Sequence, residues 1–429
     1  MTYDPRIAAP NPLTEADRSL AASVAPIIRF SDNEPFLPSK VGITILTAPR
    51  QSPSAELEIN FEPGVTKVIE YAIWWDWDIQ HLYELEHVWL KLDAANRVVR
   101  VAASAHGGLV DMVLPNGSLP LDEGRVTLYA EPGKHAFHAT PDAIRAKQQG
   151  LEMSCGPLTS EGHLLINAMF ETAFAGITAE DHRVVRRHLQ GRAFLPSFRF
   201  DKRFDTATLS RLSWPELHDY IARRVPEVLA EVRATQPLLR AVFLDSGDTL
   251  VDEATEIRDV NGYVVKADLI PGAIEMIERL SAEGYRLVLV ADGYKQSFDN
   301  VLGHHGVRQH LEAEIISEIL ACEKPDQRMF DAALAALNID AADAGQVAMV
   351  GNHLGRDING ANRRGIISIW QSWSPRRERQ AATPDEVPDY VVRGPSEIPS
   401  LLEFIELSMA RQATQSAMSA AGHAGATEQ

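Results

Sequence analysis

The chain has 429 residues, 45% hydrophobic and 23% charged, a length and composition typical of two or three soluble globular domains. Its 41 basic and 59 acidic residues give a formal net charge of −18, which argues against a non-specific binder of nucleic acids or anionic membranes, because such proteins need a basic face. The two cysteines, Cys155 and Cys322, are too few for a disulfide framework.

The first residues, MTYDPRIAAPNPLTEADRSL, lack the basic start and the apolar core of a signal peptide. The sequence has no uninterrupted run of about 18 apolar residues, so we expect no transmembrane helix. These features predict a cytoplasmic protein with free cysteines, whose partners include neither membrane nor nucleic acid. Residues 1–40 are rich in proline and weakly periodic, which predicts an extended lead-in.

Short β-like runs dominate residues 41–150, and glycine, proline, asparagine and aspartate separate them at short intervals. This spacing predicts an antiparallel, all-β sandwich-like domain. The predicted strands are 41–48, 65–75, 86–93, 97–107 and 125–131.

Helical periodicity replaces the strand pattern in residues 151–237. The segment 160–190 has helical spacing, and a further helix is predicted over 213–234. Pro215 lies near the start of that helix, where a missing N–H is tolerated. We interpret the region as helices appended to the β-domain, followed by a linker.

From residue 238 onward, buried-strand runs alternate with amphipathic helices, which predicts an α/β domain with a doubly wound parallel sheet over residues 238–410. The residues that follow, 411–429, are small and polar, which predicts a disordered tail. The predicted strands are 238–245, 285–292, 346–351 and 366–371, and the predicted helices are 274–284 and 329–339.

Polar residues follow several of these strands, at the edge of the sheet where ligands bind in such folds. Asp245 follows the first strand, Asp357 lies shortly after a later one, and Lys324 precedes a helix. Two carboxylates suit a divalent metal such as Mg²⁺, which prefers oxygen ligands. The lysine supplies a point charge for phosphate oxygens. The pattern therefore predicts a metal site that binds an anionic substrate.

The segments DSGDTL, ADG, EKPD and GNHLGRD, in this order, with PGAIEMIERLSAEGYRLVLV after the first, resemble the haloacid dehalogenase (HAD) superfamily over about residues 238–405. The resemblance implies a Rossmann-like fold and hydrolysis of a small phosphorylated molecule. Asp245 would be the nucleophile that forms an aspartyl-phosphate, and Lys324 the second catalytic residue. The implied Mg²⁺ ligands are Asp245, the Gly247 carbonyl, Asn352 and Asp357, and the implied phosphate-binding residues are Ala291, Asp292, Gly293 and Lys324.

Three positions depart from the pattern of that family. Gly247 replaces the second aspartate, the usual general acid/base, Ala291 replaces a hydroxyl that binds phosphate, and Asn352 replaces an acid. Asp248 is one residue late and would point elsewhere on an extended loop. Loss of a general acid typically lowers the rate about 10²–10⁴-fold. The segments after the first two motifs are short, which predicts a minimal cap.

Acids and histidines are also concentrated in the β-domain, within WWDWDIQHLYELEHVW. Glu84 and Glu86 are two residues apart and would share one face of a strand. Together with Asp76 and His81 they form a set that suits a divalent metal. The same pattern is typical of the solvated face of an antiparallel strand, and both interpretations stay open.

The stretches YAIWWDWD, HLYELEHVW, VAASAHGG and YAEPGKHAFH resemble the β-sandwich of the necrosis- and ethylene-inducing peptide-like cytolysins and of a related vacuolar-sorting-associated domain, over about residues 60–145. The resemblance implies a sandwich and a possible second metal, but we do not extend it to cytolysis. The implied ligands are His81, Glu84 and Glu86 with Asp76 or Asp78.

Three functional hypotheses are compatible with the sequence. The first is a Mg²⁺-dependent HAD-type hydrolase that acts on a phosphate ester through Asp245. The second is a catalytically weak HAD-like scaffold whose β-domain binds a ligand, a metal or a partner, as the replacements at Gly247, Ala291 and Asn352 would allow. The third is a separate active site in the β-domain, around His81, Glu84, Glu86, His106 and His135.

Overall fold

The computed structural model of the chain describes residues 12–55, 57–105, 107–162, 164 and 168–426. The chain divides into two compact units, of which the first comprises Met1–Ile177 and Val184–Thr235 and the second Thr178–Arg183 and Gln236–Gln429. Residues 151–237, where a helical segment and linker are predicted, fall mainly in the first unit.

The first unit begins with a helix, continues with strands and ends with helices and two further short strands. Each of the predicted strands is confirmed to within a few residues, and so is the helix predicted over 213–234. The elements are α1 (Glu15–Ser23), β1 (Ile27–Phe30), β2 (Lys40–Leu46), β3 (Arg50–Gln51), β4 (Glu58–Ile59), β5 (Lys67–Trp77), β6 (Leu82–Leu92), β7 (Val98–Ala105), β8 (Gly108–Asp111), β9 (Leu121–Asp122), β10 (Arg125–Ala130), β11 (Phe137–His138), α2 (Pro141–Arg145), α3 (Gln148–Cys155), α4 (Ala179–Gln190), β12 (Lys202–Asp205), β13 (Arg211–Ser213) and α5 (Trp214–Thr235).

Two main sheets form the first unit, one in the order β13-β2-β5-β6-β7-β8 and the other in the order β11-β10-β1-β12, with β9 paired to β10. Most neighbouring strands are antiparallel, as predicted. However, β1 pairs with β10 and β13 pairs with β2 in parallel, so the expectation of an antiparallel arrangement is wrong at these two pairs. Long connections rather than hairpins join the two strands of each pair, which leaves parallel pairing possible.

The predicted extended lead-in is also incorrect for the residues that the structure describes before residue 40. Thr14 caps α1, because its hydroxyl accepts a hydrogen bond from the Asp17 N–H while the Asp17 carboxylate accepts one from the Thr14 N–H. Strand β1 then lies between β10 and β12. A capping box within a polar stretch is a short signal that proline content obscures.

The second unit alternates strands and helices, and the strands and helices predicted for it are confirmed. The elements are β14 (Ala241–Leu244), β15 (Ile257–Arg258), β16 (Val264–Lys266), α6 (Ala273–Ala282), β17 (Leu287–Ala291), α7 (Lys295–His304), β18 (Leu311–Ile316), α8 (Ser317–Leu320), α9 (Gln327–Ala336), β19 (Val347–Gly351), α10 (Asn359–Arg364), β20 (Ile367–Gln371), β21 (Tyr390–Val392) and α11 (Ile398–Ala426).

The main sheet of the second unit has the order β18-β17-β14-β19-β20-β21, and all neighbouring strands are parallel. This is the doubly wound order, which confirms the predicted α/β fold class. Strand β14 is buried on both faces: Val242 and Leu244 belong to one apolar cluster, and Ala241 and Phe243 to the other. The segment between β14 and α6 forms only the small antiparallel hairpin β15–β16, in keeping with a minimal cap.

The last helix, α11, continues to Ala426, so the predicted disordered tail over 411–429 is incorrect up to that residue. Alanine recurs in this stretch and has the highest intrinsic helix propensity, which offsets the lack of large apolar residues. The final residues, 427–429, lie outside the described part of the chain.

Among the helices that the structure describes, none has both the length and the apolar character needed to cross a lipid bilayer. Both cysteines are free, Cys155 buried and Cys322 partly exposed, in agreement with the sequence analysis.

The long hairpin β5–β6 carries a buried histidine in the first unit. The His87 ring stacks on Trp89 with 5.3 Å between ring centroids, and its Nε2 has no hydrogen-bond partner among the described residues. Burial lowers the pKa of His87 to about 3, so the folded protein keeps this imidazole neutral.

We therefore predict that the protein loses stability as the pH falls below about 6.5. The unfolded state protonates His87 near its ordinary pKa, the folded state does not, and the difference is about 2 kcal/mol at pH 5. His87→Phe should reduce the fall in unfolding free energy between pH 7 and pH 5 by this amount in urea titrations followed by tryptophan fluorescence. The exposed His304 is the matched control, and an equal effect of His304→Phe would contradict the assignment.

Candidate active site

The carboxyl ends of the central strands of the second unit bring several charged residues together. Asp245 follows β14, Asp292 follows β17, and Asn352 and Asp357 follow β19. Strands β17 and β19 flank β14, so the chain leaves the first strand on one side and returns on the other. Ligand sites of doubly wound sheets lie at this reversal of strand order.

Lys324 lies at the centre of this group and is buried. Its Nζ is 2.6 Å from Asp245 Oδ1 and 2.6 Å from Asp357 Oδ1, and it donates a hydrogen bond to the Val290 carbonyl at 2.8 Å. Burial alone would lower the pKa of Lys324, but the neighbouring carboxylates, first of all Asp245, raise it above its ordinary value. The ammonium group therefore stays charged at neutral pH.

Asp357 is held by the turn that follows β19. Its Oδ2 accepts a hydrogen bond from the His353 N–H at 2.9 Å, within a single turn of π-helix over Leu354–Ile358. A Cβ built on Gly351 would overlap the Asp357 carboxyl group, so the strand must end in glycine for this carboxylate to reach the site. Burial, together with the negative charge of Asp245, raises the pKa of Asp357 to about 7.

The nucleophile predicted from the sequence, Asp245, has both carboxylate oxygens engaged. Oδ1 contacts Lys324, and Oδ2 accepts a hydrogen bond from Thr249 Oγ1 at 3.1 Å. Thr249 is fully buried and was not among the predicted site residues, although it lies within the quoted DSGDTL loop. The turn of that loop brings its hydroxyl back to the carboxylate.

The donors around Asp245 fit a Mg²⁺ ion. Asp245 and Asp357 offer two carboxylates whose mutual repulsion a divalent cation would relieve. Asn352 is buried and its Nδ2 has no hydrogen-bond partner in the described part of the chain. Rotation of the amide by half a turn presents its oxygen instead. The Gly247 backbone carbonyl, in the loop after β14, is a further oxygen donor of the predicted set.

The predicted phosphate-binding segment follows β17. Ala291 is buried, whereas the Asp292 carboxylate accepts a hydrogen bond from the Lys324 backbone N–H at 3.0 Å and lies 3.3 Å from Arg356 Nη1. The Gly293 N–H donates to Ser317 Oγ at 2.9 Å. The structure thus brings Asp292 and Lys324 together, while the Gly293 amide already has a protein partner.

A cavity of about 180 Å³ opens beside the nucleophile loop, and Ser246, Gly247, Glu253, Asp292 and Gly293 are among its lining residues. Asp248 is buried and its carboxylate forms an ion pair with Arg376, so it turns away from Asp245, as the sequence analysis expects. The presence of Glu253 at this cavity was not predicted, because it depends on a turn several residues after the loop.

A second cluster of possible ligands lies in the first unit, at the turn between β5 and β6. The His81 Nε2 atom is 4.0 Å from Asp78 Oδ1 and 4.0 Å from Glu84 Oε2, and one ligand atom from each of the three residues lies within 4.8 Å of the others. Burial and the charges of Glu86 and Asp78 raise the pKa of Glu84 well above its ordinary value.

The structure brings together only part of the predicted second metal site. Asp76 forms an ion pair with Arg224 at 2.9 Å, and the Glu86 carboxylate contacts the Ser104 hydroxyl, so Asp78 rather than either of these completes the group with His81 and Glu84. Of the two further histidines of the third hypothesis, His135 is buried 3.4 Å from Glu34, and His106 lies outside the described residues.

Comparisons with known proteins agree with the strand-end site. A family model described as a haloacid dehalogenase-like hydrolase matches residues 127–365, more than half of the chain. The chain is 27% identical over 182 residues to the glyceraldehyde 3-phosphate phosphatase of Methanopyrus kandleri, a match that covers 41% of this chain and 76% of that protein.

A second relative and a solved structure share shorter or more distant similarity. The glyceraldehyde 3-phosphate phosphatase of Pyrococcus furiosus is 31% identical over 138 residues, 32% of this chain and 54% of that protein. The chain therefore spans about three quarters of the first relative and about half of the second. A crystal structure of an uncharacterized protein from Listeria monocytogenes serotype 4b is 26% identical, covering 39% of this chain and 99% of that chain with a TM-score of 0.34.

Replacing Lys324 by methionine should lower the free energy of unfolding by about 3 kcal/mol, because it leaves Asp245 and Asp357 buried without their cation. Urea unfolding followed by circular dichroism measures the change. The matched control is Arg328→Met, which removes an exposed ion pair with Asp326 from the same region and should change stability little. Equal losses in the two variants would contradict a central role for the Lys324 ammonium.

Proposed function

The chain belongs to the haloacid dehalogenase-like hydrolases, and on this basis we propose that it is a Mg²⁺-dependent phosphatase of small phosphate esters. The observation that carries the proposal is the buried Lys324 ammonium, 2.6 Å from both Asp245 and Asp357 at the carboxyl ends of β14 and β19. A buried cation beside an accessible carboxylate and an acidic cation site suits the attack of one anion on another.

In the proposed reaction, Asp245 attacks phosphorus in line with the departing alcohol and forms an aspartyl-phosphate, which water then hydrolyses. Thr249 and Lys324 fix the orientation of the attacking carboxylate through its two oxygens. Lys324 also offsets the charge on the transferring phosphoryl group, in a buried position where electrostatic interactions are strong.

Asp245, Asp357, Asn352 and the Gly247 carbonyl would hold the metal ion. Bound there, Mg²⁺ would neutralise charge on the phosphoryl oxygens and bring them next to the nucleophile. Asp357 supports this arrangement because the His353 N–H fixes one of its oxygens and leaves the other facing Asp245 and Lys324.

The class of substrate rests on the relatives and on the size of the cavity. Two matched proteins are named as phosphatases of glyceraldehyde 3-phosphate, and a further one as a phosphoserine phosphatase of Thermus thermophilus. A cavity of about 180 Å³ beside the nucleophile loop suits a small phosphorylated metabolite rather than a polymer.

We also propose that Asp78, His81 and Glu84 bind a borderline divalent cation such as Mn²⁺ or Zn²⁺ in the first unit. One observation favours this over a solvated strand face. Asp78 is fully buried, and its Oδ2 has no hydrogen-bond partner among the described residues. A buried carboxylate oxygen without a partner is costly, and a cation would satisfy it.

Asp245→Asn should abolish the Mg²⁺-dependent hydrolysis of 4-nitrophenyl phosphate, because an amide cannot form the acyl phosphate. It should also abolish the rise in melting temperature that Mg²⁺ with a metallofluoride, a mimic of the transferring phosphoryl group, gives the wild type. Asp331→Asn, a change of an exposed carboxylate on α9, is the control and should retain both. Mimic binding without turnover in the wild type would instead favour the catalytically weak scaffold.

His81→Gln should weaken the binding of Mn²⁺ or Zn²⁺ to the first unit by at least about tenfold in calorimetric titrations of the full chain, because one of three ligands is lost. The control is Asp76→Asn, since Asp76 is paired with Arg224 outside the cluster. The titrations are made in the Asp245→Asn background, so that the other site contributes less. If the Asp76 variant lost as much affinity, the ligand set proposed here would be wrong.

A further inference from the structure

Hydrolysis of an ordinary phosphate ester needs a proton for the departing oxygen and then a base for the attacking water. A positioned carboxyl group can provide both. In the loop after β14, Asp245 is bound to Lys324, and Asp248 is buried in an ion pair with Arg376. Position 247, between them, has no side chain. The loop itself therefore offers no carboxyl group for proton transfer.

The space beside Gly247 contains the carboxyl group of Glu253. A Cβ built on Gly247 would overlap Glu253 Oε1 and would lie 2.9 Å from its Cδ and 3.2 Å from its Cγ. Glu253 thus occupies the volume into which a side chain at position 247 would extend. Both residues line the cavity beside the nucleophile loop, together with Ser246 and Asp292.

Contacts on both its backbone and its side chain hold Glu253 in this place. Its backbone N–H donates to Asp248 Oδ1 at 3.2 Å, at the start of the 3₁₀ turn Glu253–Thr255. Arg377 Nη2 donates to Glu253 Oε2 at 2.5 Å. One carboxylate oxygen is therefore paired with the guanidinium, while Oε1 is the oxygen directed at Gly247.

We propose that Glu253 is the general acid and base of the phosphatase reaction, acting from the β14–β15 segment across the space left by Gly247. This inference rests on the proposed function. As the Asp245 oxygen bonds to phosphorus and the ester P–O bond breaks, Glu253 gives its proton to the departing oxygen, which leaves as the alcohol. The Glu253 carboxylate then takes a proton from water. That water oxygen bonds to phosphorus as the P–O bond to Asp245 breaks, which releases phosphate and regenerates Asp245.

Two substrates with the same phosphoryl group test the role in protonation. Phenyl phosphate has a poor leaving group that needs a proton, whereas 4-nitrophenyl phosphate has a good one that does not. Glu253→Gln should lower kcat/KM for phenyl phosphate about 100-fold and change kcat/KM for 4-nitrophenyl phosphate less than about threefold. A structural role alone would lower both by the same factor.

The same variant tests the role as a base in the second step. With 4-nitrophenyl phosphate, Glu253→Gln should release a burst of nitrophenolate equivalent to the enzyme and then turn over slowly, because the aspartyl-phosphate accumulates. Addition of Asp245→Asn should remove the burst. The matched control is Glu256→Gln, since Glu256 lines the same cavity but is paired with Arg258, and both kcat/KM values should stay within about threefold of the wild type.

Moving the carboxyl group provides a gain-of-function test. Gly247→Asp combined with Glu253→Ala removes the overlap and places an acid at position 247, and it should recover at least about tenfold of the phenyl phosphate activity lost in Glu253→Gln. An unchanged Glu253→Gln enzyme, or equal losses on the two esters without a burst, would overturn the role of Glu253 while leaving the phosphatase intact. If the wild type hydrolysed neither ester with Mg²⁺, the proposed function would fail and this inference with it.

Discussion

The contact of one buried ammonium group with two buried carboxylates determines the arrangement of the second unit's site. Without Lys324, Asp245 and Asp357 would be two like charges in a place of low dielectric, and their ionised forms would be strongly disfavoured. Their placement imposes further conditions on the chain. Gly351 must lack a side chain to admit Asp357, and Thr249 must turn back to reach Asp245.

The parallel sheet explains how residues so far apart in sequence meet. The first strand of the unit, β14, lies between β17 and β19, so the loops that follow all three emerge at one edge. The cavity at this edge is bounded by backbone turns and by the hairpin side, and it is small. A site built in this way depends on loop conformation for its proton chemistry and on strand order for its charges.

The first unit shows where a strand argument fails. A shared face for Glu84 and Glu86 assumes an uninterrupted strand, but the chain reverses between β5 and β6, and Tyr83 has a left-handed backbone with φ 62°. The reversal brings Asp78, before the turn, up to His81 and Glu84. It leaves Asp76 with Arg224 and Glu86 with Ser104. Alternation along a strand predicts neighbours only where the strand is regular.

The sequence by itself determined the order of strands and helices in the second unit, the fold class, and the position of Asp245, Lys324 and Asp357 at strand ends or loops, because these follow from local periodicity and from the rule for parallel sheets. The parallel pairings of β1 and β13 and the entry of Glu253 into the space beside Gly247 were decided by the tertiary structure. Each depends on how a turn directs the chain, and a turn's direction depends on contacts with residues distant in sequence.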